Sequence, residues 1–301
     1  MKIVLAFCSV AVLTACSTSR NTARIPKSFP AFYKEGHRGA RGLMPENTIP
    51  AMIKGIATGA NVLEVDVYIT RDGQVLVAHD PFINTGHSLM PGGRELPKDS
   101  AQYYVWHQMD YADIRKIDVG SKYYPLFPQQ EKRNTYMPLL GELIDSVEAY
   151  TRSHQLPSAI YNIEIKANPQ KEGVYQPVPA VLVGKTMDVV RSKKIGNRFY
   201  IQSFDIRQLQ ETHATYPGVT IGFLTGDKKI SLQENLDKLG FVPQIYSPHY
   251  DLVTRELVDS CHALNMKLVP WTVNEAAAIR RLVDLKVDGI ITDYPNLLAE
   301  Y

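Results

Sequence analysis

Two histidines and several carboxylates stand where the turn and strand signals of this chain would bring them together. His37 opens the run His37-Arg38-Gly39, and Glu46-Asn47-Thr48 begins nine residues after that histidine. Glu64 and Asp66 alternate along Leu63–Ile69, and His79 follows the apolar run that starts at Val75. Asp72-Gly73 lies between those two runs, the pair most typical of a tight hairpin. A two-residue turn sets Arg71 opposite Gln74 and Asp66 opposite His79. A three-residue turn slips the register by one and sets His79 opposite Val65. Paired residues share one side of a hairpin, and Glu64 shares the side of Asp66 because strand side chains alternate. Carboxylates this close repel unless a proton or a cation lies between them. A hard cation with oxygen ligands resolves the repulsion.

Asn162, Glu164 and Lys166 also alternate along an apolar strand and so face one way. A glutamate buried there is costly unless it is paired or bound to a cation. Glu164 is therefore expected as a third carboxylate beside Glu64 and Asp66, with a plain Glu164–Lys166 ion pair as the competing reading. Three carboxylates without a cysteine cluster point to Ca²⁺ or Mg²⁺ rather than Zn²⁺. His37 and His79 are the candidate proton-transfer pair, since an imidazole can give or take a proton near neutral pH. Asn47 or Thr48 is expected to cap the helix that follows them.

These groups need a frame that collects strand ends. Strand patterns fall at about 32–37, 62–69, 159–165, 199–204, 220–224, 244–248, 267–272 and 288–292. Helical patterns fill the gaps at 48–58, 139–153, 178–193, 205–216, 231–239, 254–264 and 275–285. Such alternation argues for βαβ units and a parallel sheet. The run 75–79 is a ninth strand, antiparallel to its predecessor because its turn is tight. Removing it leaves eight parallel strands, the number of an α/β (β/α)8 TIM barrel. His37, Glu64, Asp66, Glu164, Lys166, Ser203, His249, Trp271 and Asp293 all fall at or near strand ends, where barrel enzymes place their chemistry. Residues 82–136 interrupt the rhythm. They hold nine of the 28 Phe, Tyr and Trp residues, and are expected to form an aromatic-rich insertion over the site. Most of its rings should pack its own small core, with one or two facing the substrate.

The string His-Arg-Gly, Pro-Glu-Asn-Thr, Glu-x-Asp-Val, Thr-x-Asp-Gly and His-Asp-Pro within residues 37–81 resembles the glycerophosphodiester phosphodiesterase family. Glu164-Ile165-Lys166, Gln202-Ser203-Phe204, Trp271-Thr272-Val273-Asn274 and the stretch Asp288–Pro295 match the same family. The resemblance runs from about Phe32 to the C-terminus. It implies metal-dependent hydrolysis of glycerophosphodiesters to glycerol 3-phosphate and an alcohol. One divalent cation, Ca²⁺ or Mg²⁺, would sit on Glu64, Asp66 and Glu164, with His37 and His79 as acid and base. Arg38 could clamp the phosphate in a two-pronged hydrogen bond, and Lys166 would add a second positive charge. Trp271 would wall the glycerol moiety, Glu46 and Asn47 would support the site, and His249 is a weaker substrate-contact candidate. Two rival readings remain: cleavage of intact phospholipids by the same motifs, and a non-catalytic surface-binding lipoprotein.

The net charge of +2 gives no reason to expect nucleic acid. GxGxxG and Walker patterns are absent, so no nucleotide cofactor is expected. The first 15 residues read as a signal peptide, with Lys2 before an apolar run. Leu13-Thr14-Ala15-Cys16 resembles a bacterial lipoprotein cleavage box, which implies lipidation of Cys16 and an exported, membrane-anchored protein on the periplasmic or cell-surface side. Residues 16–30 are polar and read as a flexible tether, and 31–301 as the barrel domain. With Cys8 leaving in the signal and Cys16 consumed by lipid, Cys261 is then the only thiol expected to be left, and its amphipathic surroundings suggest core packing.

Overall fold

The structure, a computed structural model, describes residues 25–301. The expected signal peptide and Cys16 lie outside the described residues. The elements run β1 (Tyr33–Gly36), α1 (Ile49–Ala57), β2 (Val62–Ile69), β3 (Val75–Val77), α2 (Tyr111–Ile114), α3 (Leu140–Ser153), β4 (Ile160–Ile165), α4 (Pro179–Ser192), β5 (Phe199–Ser203), α5 (Ile206–Thr215), β6 (Thr220–Thr225), α6 (Leu232–Leu239), β7 (Ile245–Pro248), α7 (Arg255–Ala263), β8 (Lys267–Leu268), α8 (Ala276–Asp284) and β9 (Gly289–Thr292).

Eight of the nine strands pair in parallel in the order β8-β7-β6-β5-β4-β2-β1-β9, and β3 pairs antiparallel with β2 alone. Pro270 has no N–H to continue a ladder, which cuts β8 to two residues where the sequence pattern suggested 267–272. The seam beside it still closes, because Asp288 N donates to Leu268 O at 2.9 Å and Ile291 N to Pro270 O at 3.0 Å. The result is a (β/α)8 barrel.

Strand parity decides what faces the lumen. Leu63, Val65 and Val67 join Leu140, Ile163 and Ile201 in the apolar layer between barrel and helices. Glu64, Asp66 and Glu164 are therefore turned inward. The helices hold that layer through one apolar face each. Thr48 caps α1 by accepting from Ala51 N, and Ser231 and Glu234 form a capping box at the start of α6. Cys261 is fully buried in the same layer, and burial pushes its thiol up to about 12. At the opposite end of the lumen from the strand tips, Phe29 packs against Tyr33 and Tyr200 at ring separations of 6.0 and 6.1 Å. The end of the stretch read as a tether is thus built into the barrel floor.

The β2–β3 turn takes the second of the two registers read from the sequence. Val67, Tyr68 and Ile69 face Val77, Leu76 and Val75, so Thr70 faces Gln74 across a three-residue loop, and His79 does not stand opposite Asp66. Gly73 at φ +78° supplies the left-handed residue that such a loop needs. The Thr70 hydroxyl completes it, donating to Asp72 Oδ1 and accepting from Gln74 N.

Residues 82–136 carry only short 3-10 turns and α2. Their core is Ile83, Trp106, Ile114, Ile117 and Val119 packed on Tyr68 and Leu76 of the hairpin. Trp106 is the one insertion aromatic in that buried core. Tyr103 and Tyr123 are exposed instead, and Phe127 is buried against the β1–α1 loop.

Candidate active site

The strand tips converge on a cleft of about 220 Å³, lined by His37, Arg38, Glu64, His79, Glu164 and Lys166. Phe204, Leu224 and Trp271 add apolar lining. Strand pairing and local backbone bends together fix these groups. His37 follows β1, whose last residue hands its register to β9. Arg38 and Asn47 both take left-handed backbone, at φ 50° and 56°, and these two bends fold the β1–α1 loop back over the strand tips. Gly39 at φ +87° makes the fold possible, since a Cβ there would lie 2.5 Å from the Ala51 carbonyl carbon.

The acidic trio forms as the alternation predicted. Glu64, Asp66 and Glu164 each offer a carboxylate oxygen, all within 4.8 Å of one another and all buried. Burial first, then the charges of Asp66 and Glu164, push the Glu64 carboxyl well above its usual range. Glu164 is also raised by burial, against the pull of Lys166. Asp66 goes the other way: Lys166, His79 and Arg38 outweigh its burial and hold it below the usual range. Asn47 holds it from two sides, with Nδ2 donating to Oδ2 at 2.8 Å and Oδ1 accepting from Asp66 N at 3.3 Å. Thr48, not Asn47, is the helix cap.

Two oxygens of the trio, Glu64 Oε1 and Asp66 Oδ1, are buried without a hydrogen-bond partner among the described residues. Orphaned buried acceptors are rare and call for a partner. Three hard oxygen donors with two unmet acceptors fit a divalent cation. The competing ion pair exists as well: Lys166 Nζ lies 2.7 Å from Glu164 Oε1 and 3.6 Å from Asp66 Oδ1. It engages neither orphaned oxygen by a hydrogen bond, so both stay open to a cation.

Arg38 is more enclosed than a free phosphate clamp. Its backbone N donates to Glu64 Oε2 at 2.7 Å, Nη1 donates to Glu46 Oε1 at 2.8 Å, and Nε lies 3.4 Å from Asp66 Oδ2. Glu46 holds a second arginine, Arg41, at 2.8 Å. Burial would raise the Glu46 carboxyl, but Arg38, then His87 and Arg41, hold it below the usual range.

His37 Nδ1 lies 2.6 Å from Asp293 Oδ1. Asp293 is held below the usual range by His37 and Arg41 in spite of its burial, and is ionised. A carboxylate only accepts, so His37 donates from Nδ1 and keeps an acceptor at Nε2. Asn274 Nδ2 donates to the other Asp293 oxygen at 2.7 Å. Burial, then the neighbouring Arg38, push His37 below the ordinary histidine range, outweighing Asp293. His79 has a similar orienting partner next to it, Asp80 Oδ1 at 3.0 Å.

The remaining candidates separate. Trp271 lines the cleft, donates from Nε1 to Ser247 O at 2.9 Å and packs edge-on against Phe204 at 5.3 Å. His249 lies beyond that indole, 5.2 Å from its ring, and caps a short 3-10 turn instead of lining the cleft. Ser203 is structural, donating to Ile165 O at 2.8 Å. Asp293, Asn274, Arg41 and Asp80 received no role from sequence reasoning. The signal for Asp293 was its strand-end position, and that for Asp80 was its place directly after His79.

The model of the glycerophosphoryl diester phosphodiesterase family matches residues 37–297. A glycerophosphodiester phosphodiesterase of Bacillus altitudinis is 28% identical over 263 residues, covering 86% of this chain and 94% of that protein. A crystal structure from Silicibacter pomeroyi DSS-3, provisionally named a glycerophosphoryl diester phosphodiesterase, superposes with a TM-score of 0.78 at 31% identity, covering 89% and 92% of the two chains. An Oleispira antarctica phosphodiesterase, solved with its product sn-glycerol-3-phosphate, shares the fold with a TM-score of 0.69 at 19% identity, covering 88% and 94%. With the family model spanning most of the chain, from the first site histidine to beyond Asp293, this protein belongs to the glycerophosphoryl diester phosphodiesterase family.

Proposed function

We propose that this chain hydrolyses glycerophosphodiesters to glycerol 3-phosphate and an alcohol, with a divalent cation on Glu64, Asp66 and Glu164 and proton transfer by His37 and His79. The observation that carries the reading is the buried trio with two unpartnered oxygens, facing a cleft that holds both histidines. The bound product of the Oleispira relative supports the glycerol phosphate half of the substrate. When bound, the cation would supply Lewis-acid polarisation of the phosphoryl group.

The protein's own groups divide the remaining work. His37 is the base. Its neutral form is favoured, Asp293 fixes its tautomer, and Nε2 is left to accept the proton of the attacking hydroxyl, from glycerol or from water. His79 is the acid, giving a proton to the leaving alcohol oxygen as the P–O bond breaks. Lys166 places its ammonium at the cleft to balance charge on the phosphoryl oxygens. Arg38 neutralises the acidic cluster from behind, through Glu46 and Asp66. Phe204 and Trp271 give the glycerol carbons an apolar wall.

Phe204, half exposed at 46%, extends that wall to the surface. This lip is the observation that favours a second reading, cleavage of lipid-borne diesters. Release of glycerol 3-phosphate from glycerophosphocholine, glycerophosphoethanolamine and glycerophosphoglycerol, with intact phospholipids in parallel, tests both. Turnover of the small diesters that stops with chelator and returns with Ca²⁺ or Mg²⁺ supports the first. Turnover of none would contradict it.

Lipidation of Cys16 and export to a membrane surface are also part of this reading. They rest on the sequence of residues 1–16, which lies outside the described residues.

A further inference from the structure

Arg41 lines the cleft with its side chain mostly buried, and it touches three different parts of the molecule. Nε lies 2.8 Å from Glu46 Oε2, off the N–H direction, so the contact is ionic. Nη1 lies 4.0 Å from Asp293 Oδ1. The guanidinium carbon sits 4.4 Å from the centre of the Phe127 ring, a cation–π distance. Glu46 is the carboxylate that holds Arg38, and Asp293 is the one that orients His37. Arg41 therefore joins the supports of two site residues.

Phe127 belongs to the insertion, and more of the insertion binds the same loop. Gln130 Nε2 donates to Arg41 O at 2.8 Å, and Glu131 N donates to Leu43 O at 2.9 Å. Gly120 lies so close that a Cβ would come within 2.6 Å of Pro45 Cγ. Residues 120–131 form a strap across the β1–α1 loop. A planar guanidinium can face two carboxylates with its edges while an aromatic ring covers its plane, and an ammonium cannot.

We propose that Arg41 is a positioning residue of the reaction site, and that the insertion acts on catalysis by locking Arg41 between Glu46 and Asp293 through Phe127. The inference rests on the functional reading above. It assigns the aromatic-rich insertion a task other than contacting substrate.

The test is a double-mutant cycle on turnover in saturating divalent cation, with melting temperature and KM measured on each variant. Arg41→Met should lower kcat roughly 30- to 100-fold, the scale of a small misplacement of catalytic groups, with KM changed far less. Phe127→Leu keeps apolar bulk but loses the ring face, and should lower kcat roughly tenfold, again with KM nearly unchanged. The decisive result is the pair. If the insertion works through Arg41, the double variant is no slower than Arg41→Met alone. Multiplying losses, or a Phe127→Leu variant that melts lower with normal kcat, would overturn the proposal and leave the strap as packing. Should Arg41→Met fail to fold, the same cycle runs on Arg41→Lys, which keeps the charge but not the two-edged bridge. Absence of wild-type turnover on every diester would instead count against the functional reading. If another phosphodiester is turned over, the cycle runs unchanged on that substrate.

Discussion

Replacing Glu35 by glutamine should stabilise this protein, and only above a certain pH. Glu35 lies in the barrel lumen beneath the site, fully buried. It accepts from the Tyr200 hydroxyl at 2.7 Å and from Asn162 Nδ2 at 2.5 Å. Burial dominates over those two hydrogen bonds and raises its carboxyl from 4.5 to about 7. The folded value lies above the unfolded one, so between them the unfolded chain has lost the proton while the folded chain keeps it. Stability is therefore lost progressively as pH rises from 4.5 to about 7, and the loss persists above that. At about 1.4 kcal/mol per unit, the difference amounts to roughly 3 kcal/mol at pH 8, an order-of-magnitude figure. Glutamine keeps the shape and does not titrate. Its NH₂ can donate to Asn162 Oδ1, which has no hydrogen-bond partner among the described residues, once the Asn162 amide turns over. Urea unfolding of wild type and Glu35→Gln at pH 5, 6, 7 and 8 measures the difference, and other titrating groups cancel between the two proteins. The variant should gain little at pH 5 and most at pH 8, with an unchanged slope against urea. A gap that does not vary with pH would refute the argument that Glu35 is held protonated by the lumen.

Removing His79 should cost about 100- to 10,000-fold in kcat on an unactivated diester, and an acidic leaving alcohol, as in a p-nitrophenyl ester, should restore most of it. The same substrate should not rescue His37→Ala, since that variant lacks the base. The lower pH limb of kcat/KM, which reports the free enzyme's base, should fall below the ordinary histidine value because burial and Arg38 depress His37. Loss of Asp293 as Asp293→Asn should remove the tautomer control on His37 and lower kcat with little change in KM. If Cys16 is lipidated, wild type should partition into membranes and Cys16→Ser should not; mass spectrometry of the mature N-terminus reads the modification directly.

What the sequence revealed follows range. Features set by neighbours along the chain were legible: the eight parallel strands, the seven helical patterns between them, and the antiparallel run at Val75. The acidic trio was legible because the alternation of Glu64 with Asp66 and of Asn162 with Glu164 and Lys166 fixes their faces before any tertiary contact. The hairpin register was open, since Asp72-Gly73 serves a two-residue turn and a bulged three-residue turn alike. Thr70 closes the longer loop with its hydroxyl, a contact that the pair itself does not announce. His79 nevertheless lines the cleft, because β3 ends at Val77 and the residue lies beyond the ladder, where strand alternation no longer sets its side. The contacts that give His37 its tautomer were not legible. Asp293 lies 256 positions away, and only closure of β1 against β9 brings it to 2.6 Å. Arg38 looked like a free phosphate ligand, whereas the fold surrounds it with Glu46, Glu64 and Asp66. Arg41 and Phe127 carry no local pattern at all; their meeting depends on an insertion without regular structure folding back over the first loop.

The central claim is that Glu64, Asp66 and Glu164 hold one divalent cation on which turnover depends. Calorimetric titration of Ca²⁺ and of Mg²⁺ into chelator-stripped protein, alongside Glu64→Gln, Asp66→Asn and Glu164→Gln, tests it most directly when each sample is also assayed for release of glycerol 3-phosphate. One ion per chain in wild type, weakened binding in every variant, and turnover that rises in step with ion occupancy are the expected results. Full turnover by the stripped protein, or unchanged affinity in all three variants, would contradict the account.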